Sequence, residues 1–361
     1  MKKIFYITNI FPFYRKSIWS KLISENKYNF NIFFSDQPFS NIKPFTNIKS
    51  EKLHVIKNYY FKSYLIWQSG VIKKIIFEKP DIVILLGEMN VISNWVISFL
   101  CRLLKIKVWF WGHGIYGNEN RFKFFLRKKY LQLADKQILY GERAREILIN
   151  LKFNIENLHV VYNSLDYDIQ NIFYQNLNSR YKESDCDIFK IVFIGRLTKR
   201  KKLDLLIKAI SLLKIKDKIN LEIIGDGEER DNLNYLAEKH SLREIIFHGE
   251  TFDEKIISKI LFNSNLCVSP GNIGLTAIHS LSYGTPVITH NDFNRQMPEA
   301  EAIIEGINGF FYEYDNVHDL ADKINLALSK KIKRKQIRKI IEEKYNPDFQ
   351  KSIFDKIIID G

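Results

Sequence analysis

Two cations in the stretch "FIGRLTKRKKLDLLIKAI" (193–210) are placed to meet an anion. Arg196 follows an apolar run that ends at Gly195, and Lys201 stands five residues on, just before an amphipathic segment. Such a pair in a strand-to-helix loop suits a diphosphate, because both groups can neutralise charge that builds on a leaving group. Lys199, Arg200 and Lys202 crowd the same turn, so a lysine-rich surface turn would produce the same pattern. "SPGNIGLTAIHSLSYGTPVI" (269–288) reads as strand end, glycine-rich loop and helix, and the amides of Gly271, Asn272, Gly274 and Leu275 lie where a helix N-terminus receives negative groups. His279 is four residues past Leu275 and shares its helix face. Its ring can bond a ribose hydroxyl or can simply pack inside the helix.

Other stretches are compatible with binding. "LEIIGDGEERDNLNYLAEKH" (221–240) ends a strand in Gly225-Asp226-Gly227. Glycines there let backbone approach a ligand, and Asp226 could equally be a helix cap. Glu299 and Glu301 in "QMPEAEAI" (296–303) are carboxylates within reach of the same region in sequence. "RFKFFLRKKYLQL" (121–133) puts Phe122, Phe125, Leu126 and Tyr130 on one helical face, with Arg121, Lys123, Arg127, Lys128 and Lys129 around it. Basic residues beside aromatics fit a membrane-surface helix, and a helix packing its aromatic face on a sheet reads the same way. Tyr14 and Arg15 in "FPFYRK" (11–16), after the first strand, are placed to face an acceptor. Asp185 and Asp187 in "DCD" precede a strand in a polar stretch and are not expected to bind metal. Neither they nor the histidines have the spacing of a metal site, so no metal cofactor is expected.

The elements that must position these residues alternate along the chain. "KKIFYIT", "NFNIFF", "DIVILL", "KVWFW", "KQILY" and "NLHVV" read as buried strands separated by helical segments. A second series follows the polar stretch "NLNSRYKESDCD": "FKIVFIG", "INLEIIG", "EIIFHG", "NLCVSP" and "TPVITH". Alternation of this kind implies parallel sheets with helices on both faces, with ligands at the C-terminal strand ends. The expected architecture is therefore α/β, with two facing Rossmann-like domains and a cleft between them. The boundaries read as 1–165, a linker at 166–188, a second domain at 189–335, and C-terminal helices at 336–361 that pack back on the first domain. "KKIKRKQIRK" (330–339) reads as a solvated helix face.

Composition is globular, and 361 residues exceed one ordinary core. Residues 1–165 hold 26 Lys and Arg against 11 Asp and Glu, while the remainder holds 29 against 30. A genome bias toward lysine would not produce that asymmetry, whereas an anionic partner for the first half would. Three distant cysteines suggest a reduced, intracellular compartment. The N-terminus imitates a signal peptide, but Thr8, Asn9 and Pro12 interrupt its apolar run, so it reads as a buried strand. No run of about 18 apolar residues predicts a membrane span. Absence of a helix-turn-helix, zinc finger or RNA-binding aromatic motif argues against nucleic acid.

The motifs of 193–210, 221–240 and 269–288, with "IIFHGE" between them, occur in the order and at the spacings of family 4 glycosyltransferases, retaining enzymes of GT-B architecture. The chain resembles that family, and "SPGNIGLTAIHSLSYGTPVITH" is similar to a branch among bacterial surface-polysaccharide enzymes. "WGHGIYG" (111–117), "YGERAREIL" (140–148) and "VVYNSLD" (160–166) match more loosely. The resemblance implies a nucleotide-sugar donor, a UDP-sugar or alternatively a GDP-sugar, held mainly by the C-terminal domain. Arg196 and Lys201 would grip the diphosphate, Gly274 and Leu275 would approach phosphates and sugar, and Gly225 and Gly249 would flank the base. His113 matches a residue near the donor sugar. The family's two glutamates fall on Gly271 and His279, which leaves His279 for the ribose and Glu299 or Glu301 as a displaced carboxylate. The implied reaction is sugar transfer to a lipid-linked or growing surface glycan on the inner face of the cytoplasmic membrane. A non-catalytic nucleotide-sugar-binding or scaffold subunit is the alternative.

Overall fold

A computed structural model describes all residues except 38–49, 63, 116–118, 182–187, 243 and 361. The "DCD" stretch lies outside the described residues. The chain forms two compact units, residues 1–166 with 347–361, and residues 167–346.

The first unit is built on β1 (Lys2–Ile10), β2 (Tyr28–Ser35), β3 (Leu53–Val55), β4 (Lys57–Phe61), β5 (Leu65–Ser69), β6 (Ile82–Leu86), β7 (Lys107–Gly112), β8 (Lys136–Leu139) and β9 (Leu158–Val160). Seven of these make a parallel sheet in the order β3-β2-β1-β6-β7-β8-β9, and β4 and β5 form a separate antiparallel pair. β1 is flanked on both sides, with Ile4 opposite Phe30 of β2 and Ile82 of β6. Its almost uninterrupted apolar run is what a strand buried on both faces requires. On one face of the sheet, α1 (Lys16–Ile23) packs Trp19 against Tyr6 and Trp111. On the other lie α2 (Val71–Glu78), α3 (Ile92–Leu103), α4 (Arg121–Leu131) and α5 (Glu142–Asn150), over Phe5, Val83, Phe110 and Leu139.

The second unit begins with α6 (Tyr167–Asn178), inside the stretch expected to be a linker. Gln170 and Tyr174, one turn apart, are its buried face. Its sheet is β10 (Phe189–Ile194), β11 (Ile219–Ile224), β12 (Glu244–Gly249), β13 (Leu266–Val268), β14 (Val287–His290) and β15 (Gly309–Tyr312), all parallel, in the order β12-β11-β10-β13-β14-β15. That is the doubly wound dinucleotide-binding order, with its reversal between β10 and β13. The covering helices are α7 (Leu203–Ser211), α8 (Arg230–Lys239), α9 (Glu254–Asn263), α10 (Leu275–Ser282) and α11 (Val317–Ser329). In α7, Leu203, Leu206, Ile207 and Ile210 are buried at helical spacing.

The C-terminal helices divide. α12 (Arg334–Glu343) stays in the second unit, whereas α13 (Pro347–Asp360) crosses into the first, where Phe354 meets Trp111 at 4.7 Å between ring centroids. The expectation that everything from 336 returns to the first domain is corrected by the contacts of α12. Arg338, from the run read as a solvated face, is buried and lies 3.6 Å from the Tyr174 ring centroid. Its guanidinium also donates to Asn171 Oδ1 at 3.1 Å.

Candidate functional site

The loops after β10 and β13 leave the second sheet at its reversal, where a doubly wound sheet binds ligands. They are tied to each other by backbone. Gly271 N donates to Lys201 O at 2.9 Å, and Lys201 Nζ donates to Asn272 O at 2.7 Å. Thr276 Oγ1, in the first turn of α10, donates to Ile194 O at the end of β10 at 3.0 Å. Gln296 shapes the second loop by accepting from Ile273 N at 2.8 Å while donating to Thr289 Oγ1 and His290 O. Neither Thr276 nor Gln296 was singled out in the sequence, since both types are ordinary in such positions.

Lys201 and Arg196 arrive in one loop in different electrostatic states. Arg196 is exposed, and its side chain has no hydrogen-bond or ion-pair partner among the described residues. The Lys201 ammonium is pushed down to about 8 by burial and by neighbouring Arg200, with Glu299 opposing the shift. Glu299 itself is buried, and its Oε2 lies 3.9 Å from where a Cβ on Gly274 would stand. A carboxylate therefore borders the α10 N-terminus close to Lys201. Glu301, the other carboxylate expected there, is only half-buried. Gly274 is the N-cap of α10, and Gly274, Leu275 and Thr276 are partly exposed, which leaves this helix end open to an anion. Asn272 is buried, and its Oδ1 has no hydrogen-bond partner among the described residues.

Gly271 carries no side chain for a steric reason. A Cβ there would fall 2.1 Å from Arg200 O and 2.7 Å from Lys201 Cα. The turn 199–202 occupies the space that the family's first glutamate would need. Lys202, where the family has glycine, adopts the left-handed conformation itself (φ 52°, ψ 39°). That conformation costs a non-glycine residue about 1–2 kcal/mol. Its ammonium is held 2.7 Å from Asp315 Oδ1 and 4.1 Å from the Tyr314 ring centroid. Arg295 also lies over the Tyr314 ring, 5.0 Å away.

The His279 ring is engaged within its own unit. Its Nε2 is 2.8 Å from Glu254 Oε1 on α9, and Tyr283 Oη donates to the same oxygen at 2.6 Å. Burial opposes the Glu254 charge, but His279, Tyr283 and Gln170 outweigh it and hold this carboxyl below its usual range. The network joins α10 to α9 and α6, which is the packing arrangement open to His279 from the sequence. Gly225 and Gly227 also serve the fold first, since a Cβ on either would fall 2.0 Å from Gly195 O or 2.3 Å from Leu197 O. Asp226 accepts from Gly227 N and from the Arg230 side chain, while the N-cap position of α8 is Glu229, so Asp226 is not its helix cap. Gly249 ends β12, and its carbonyl accepts from Gly225 N at 2.8 Å.

In the first unit, three loops at the C-terminal strand ends converge. Arg15, after β1, donates from a terminal guanidinium nitrogen to Tyr140 Oη at 2.7 Å, and His113, after β7, meets the Tyr140 ring at 4.9 Å. Burial, aided by Arg15 and Arg127, pushes His113 down to about 4, so the ring is neutral at pH 7. Tyr14 beside them is half-buried. On α4, Phe122 and Phe125 are exposed, with Lys129 above Phe125 and Lys128 half-buried. The rest of the expected aromatic face is corrected. Tyr130 is buried against Phe110 and Trp95, and Arg127 is buried on Glu119, 2.8 Å away.

Residues 178–344 match the family model for glycosyl transferases group 1. The protein is a glycosyltransferase. Among the relatives of this glycosyltransferase is the O-antigen biosynthesis glycosyltransferase WclY of Escherichia coli. It is 24% identical over 288 residues, spanning 74% of this chain and 72% of the relative. The glycosyltransferase is similar in fold to the lipopolysaccharide outer core galactosyltransferase WaaB, with a TM-score of 0.70, 16% identity, and coverage of 100% and 99% of the two chains. It is equally similar to Anabaena HepE in complex with UDP, with a TM-score of 0.70, 15% identity and 99% coverage of each chain.

Proposed function

We propose that this glycosyltransferase moves a sugar of hexose type from a nucleoside diphosphate to a lipid-linked or growing surface glycan such as O-antigen, capsule or lipopolysaccharide. The donor is a UDP-sugar rather than a GDP-sugar, the anomeric configuration is retained, and the protein works on the anionic inner face of the cytoplasmic membrane. The observation that carries the reading is the coupling of the two loops at the sheet reversal, which brings Lys201 and the open N-terminus of α10 to one edge. The UDP bound by HepE and the O-antigen and lipopolysaccharide roles in the names of WclY and WaaB support the choice of donor and acceptor.

The chemistry follows from charge. As the C1–O bond to the diphosphate breaks, negative charge grows on the departing oxygen. Lys201, Arg196 and the α10 amides stabilise it where it develops, without a metal. The acceptor hydroxyl bonds to C1 from the face the diphosphate leaves, and its proton passes to the departing phosphate oxygen. Positioning then carries most of the rate. Glu299 offers a carboxylate for sugar hydroxyls in place of a residue at 271, and neutral His113 offers a ring that hydrogen-bonds a sugar without adding charge. Incubation with a panel of nucleotide sugars and acceptors tests this. Release of UDP with an anomeric centre of unchanged configuration in the product is expected, and an inverted product or no turnover contradicts it.

A further inference from the structure

We propose that the outer surface of the α2–α4 layer, centred on α3, is the face that lies on an anionic bilayer. This rests on the membrane reading above and adds a helix that the charge pattern of the sequence did not single out. Val96, Phe99 and Leu103 fall on one side of α3 at helical spacing and are 42%, 55% and 81% exposed. Single exposed apolar residues are ordinary in soluble proteins, but a whole stripe of them marks an interaction surface.

The next helix also keeps apolar residues exposed. α3 and α4 are neighbours, because Trp95 meets the Tyr130 ring at 4.9 Å and Asn94 donates to Tyr130 Oη at 3.3 Å. With the inner sides of both helices used in this way, Phe122 and Phe125 remain 73% and 54% exposed on α4.

The surroundings select the partner. Residues 71–131 hold 11 Lys and Arg against 4 Asp and Glu. Two of those acids are already matched: Glu119 is buried against Arg127, and Glu78 pairs with Lys3 and Lys74. Arg102 and Lys105 are exposed next to Leu103 in the chain, and Arg121 and Lys129 are exposed on α4. A second copy of the same chain would bring two basic rims together, whereas an anionic lipid surface complements the rim and takes up the apolar centre.

Co-sedimentation of the full chain with phosphatidylcholine vesicles, with and without phosphatidylglycerol and at low and high salt, tests the assignment. Wild type is expected to bind the anionic vesicles, more weakly at high salt. Phe99→Ser with Leu103→Ser should lower partitioning on the order of tenfold or more, through lost apolar burial. Ile172→Ser, at an exposed position of α6 in the other unit, should leave it unchanged, as should the thermal unfolding of all three proteins. If wild type binds and the α3 pair binds equally well, the α3 face is wrong while membrane association stands. If wild type binds no vesicle, the membrane reading falls too. A dimer in solution that the same pair dissolves would make the stripe a self-interface and overturn the proposal.

Discussion

Gly271 N donates to Lys201 O at 2.9 Å, and no side chain fits at 271 without striking the Arg200–Lys201 backbone. The glycine is a condition for the turn that presents Lys201. Gly271→Ala and Gly271→Glu should therefore both fail, although glutamate is what the resemblance places there. Overpacking costs about 1–3 kcal/mol, and the displaced turn should lower transfer further. Thermal unfolding and initial transfer rates check this, and a stable, active Gly271→Glu protein would contradict it.

Lys201 should give the reaction an alkaline limit. Its ammonium titrates near 8 in the folded protein, below the ordinary lysine value. The unfolded chain therefore holds the proton more tightly, and the cost of the buried charge is fully present below pH 8 and relieved above it. Diphosphate binds the protonated form, so donor KM should be flat below neutrality and rise above pH 8 toward about tenfold per pH unit. Lys201→Arg, which stays charged, should flatten that rise in a KM–pH profile.

His279 should matter to stability more than to donor affinity. Removing its ring leaves Glu254, a mostly buried carboxylate, with one partner fewer. Unmatched buried polar groups cost roughly 1–3 kcal/mol. His279→Ala should lower the melting temperature with little change in donor KM. His279→Glu should be worse, because it sets a second carboxylate against Glu254. His279→Gln should recover part of the loss. A raised KM at unchanged stability would return His279 to the nucleotide.

Asp315 should act through Lys202. The left-handed lysine is held by Asp315 and Tyr314 and adjoins Lys201 directly. Asp315→Ala should loosen the turn and lower kcat several-fold. Lys202→Gly takes the same conformation without strain, so Asp315→Ala should have almost no effect in that background. Additive losses in the double-mutant cycle would show that the two residues are independent.

Most of both sheets was legible in the sequence, because parallel strands buried on both faces read as continuous apolar runs from "KKIFYIT" to "TPVITH". The elements it hid are those whose pattern is diluted. α6 lies in a polar stretch where Gln170 and Tyr174 are its buried face. The cations of the candidate site were readable from their spacing. The contacts of Gly271 and His279 were not, because each involves a partner remote in sequence, the 199–202 turn or Glu254. Lys202 was visible as a departure from glycine, but its compensation by Asp315 lies more than 100 residues away.

The most direct test of the central claim is steady-state transfer from a nucleotide sugar by wild type, Arg196→Ala, Lys201→Ala and Lys199→Ala. Losing one charge-assisted stabiliser of a developing anion costs about 2.7–4 kcal/mol, on the order of 10²–10³ in kcat. Arg196→Ala and Lys201→Ala are predicted to show that loss, and Lys199→Ala to remain near wild type. Equal behaviour of all three variants, or nucleotide-sugar binding by wild type without turnover, would contradict the account.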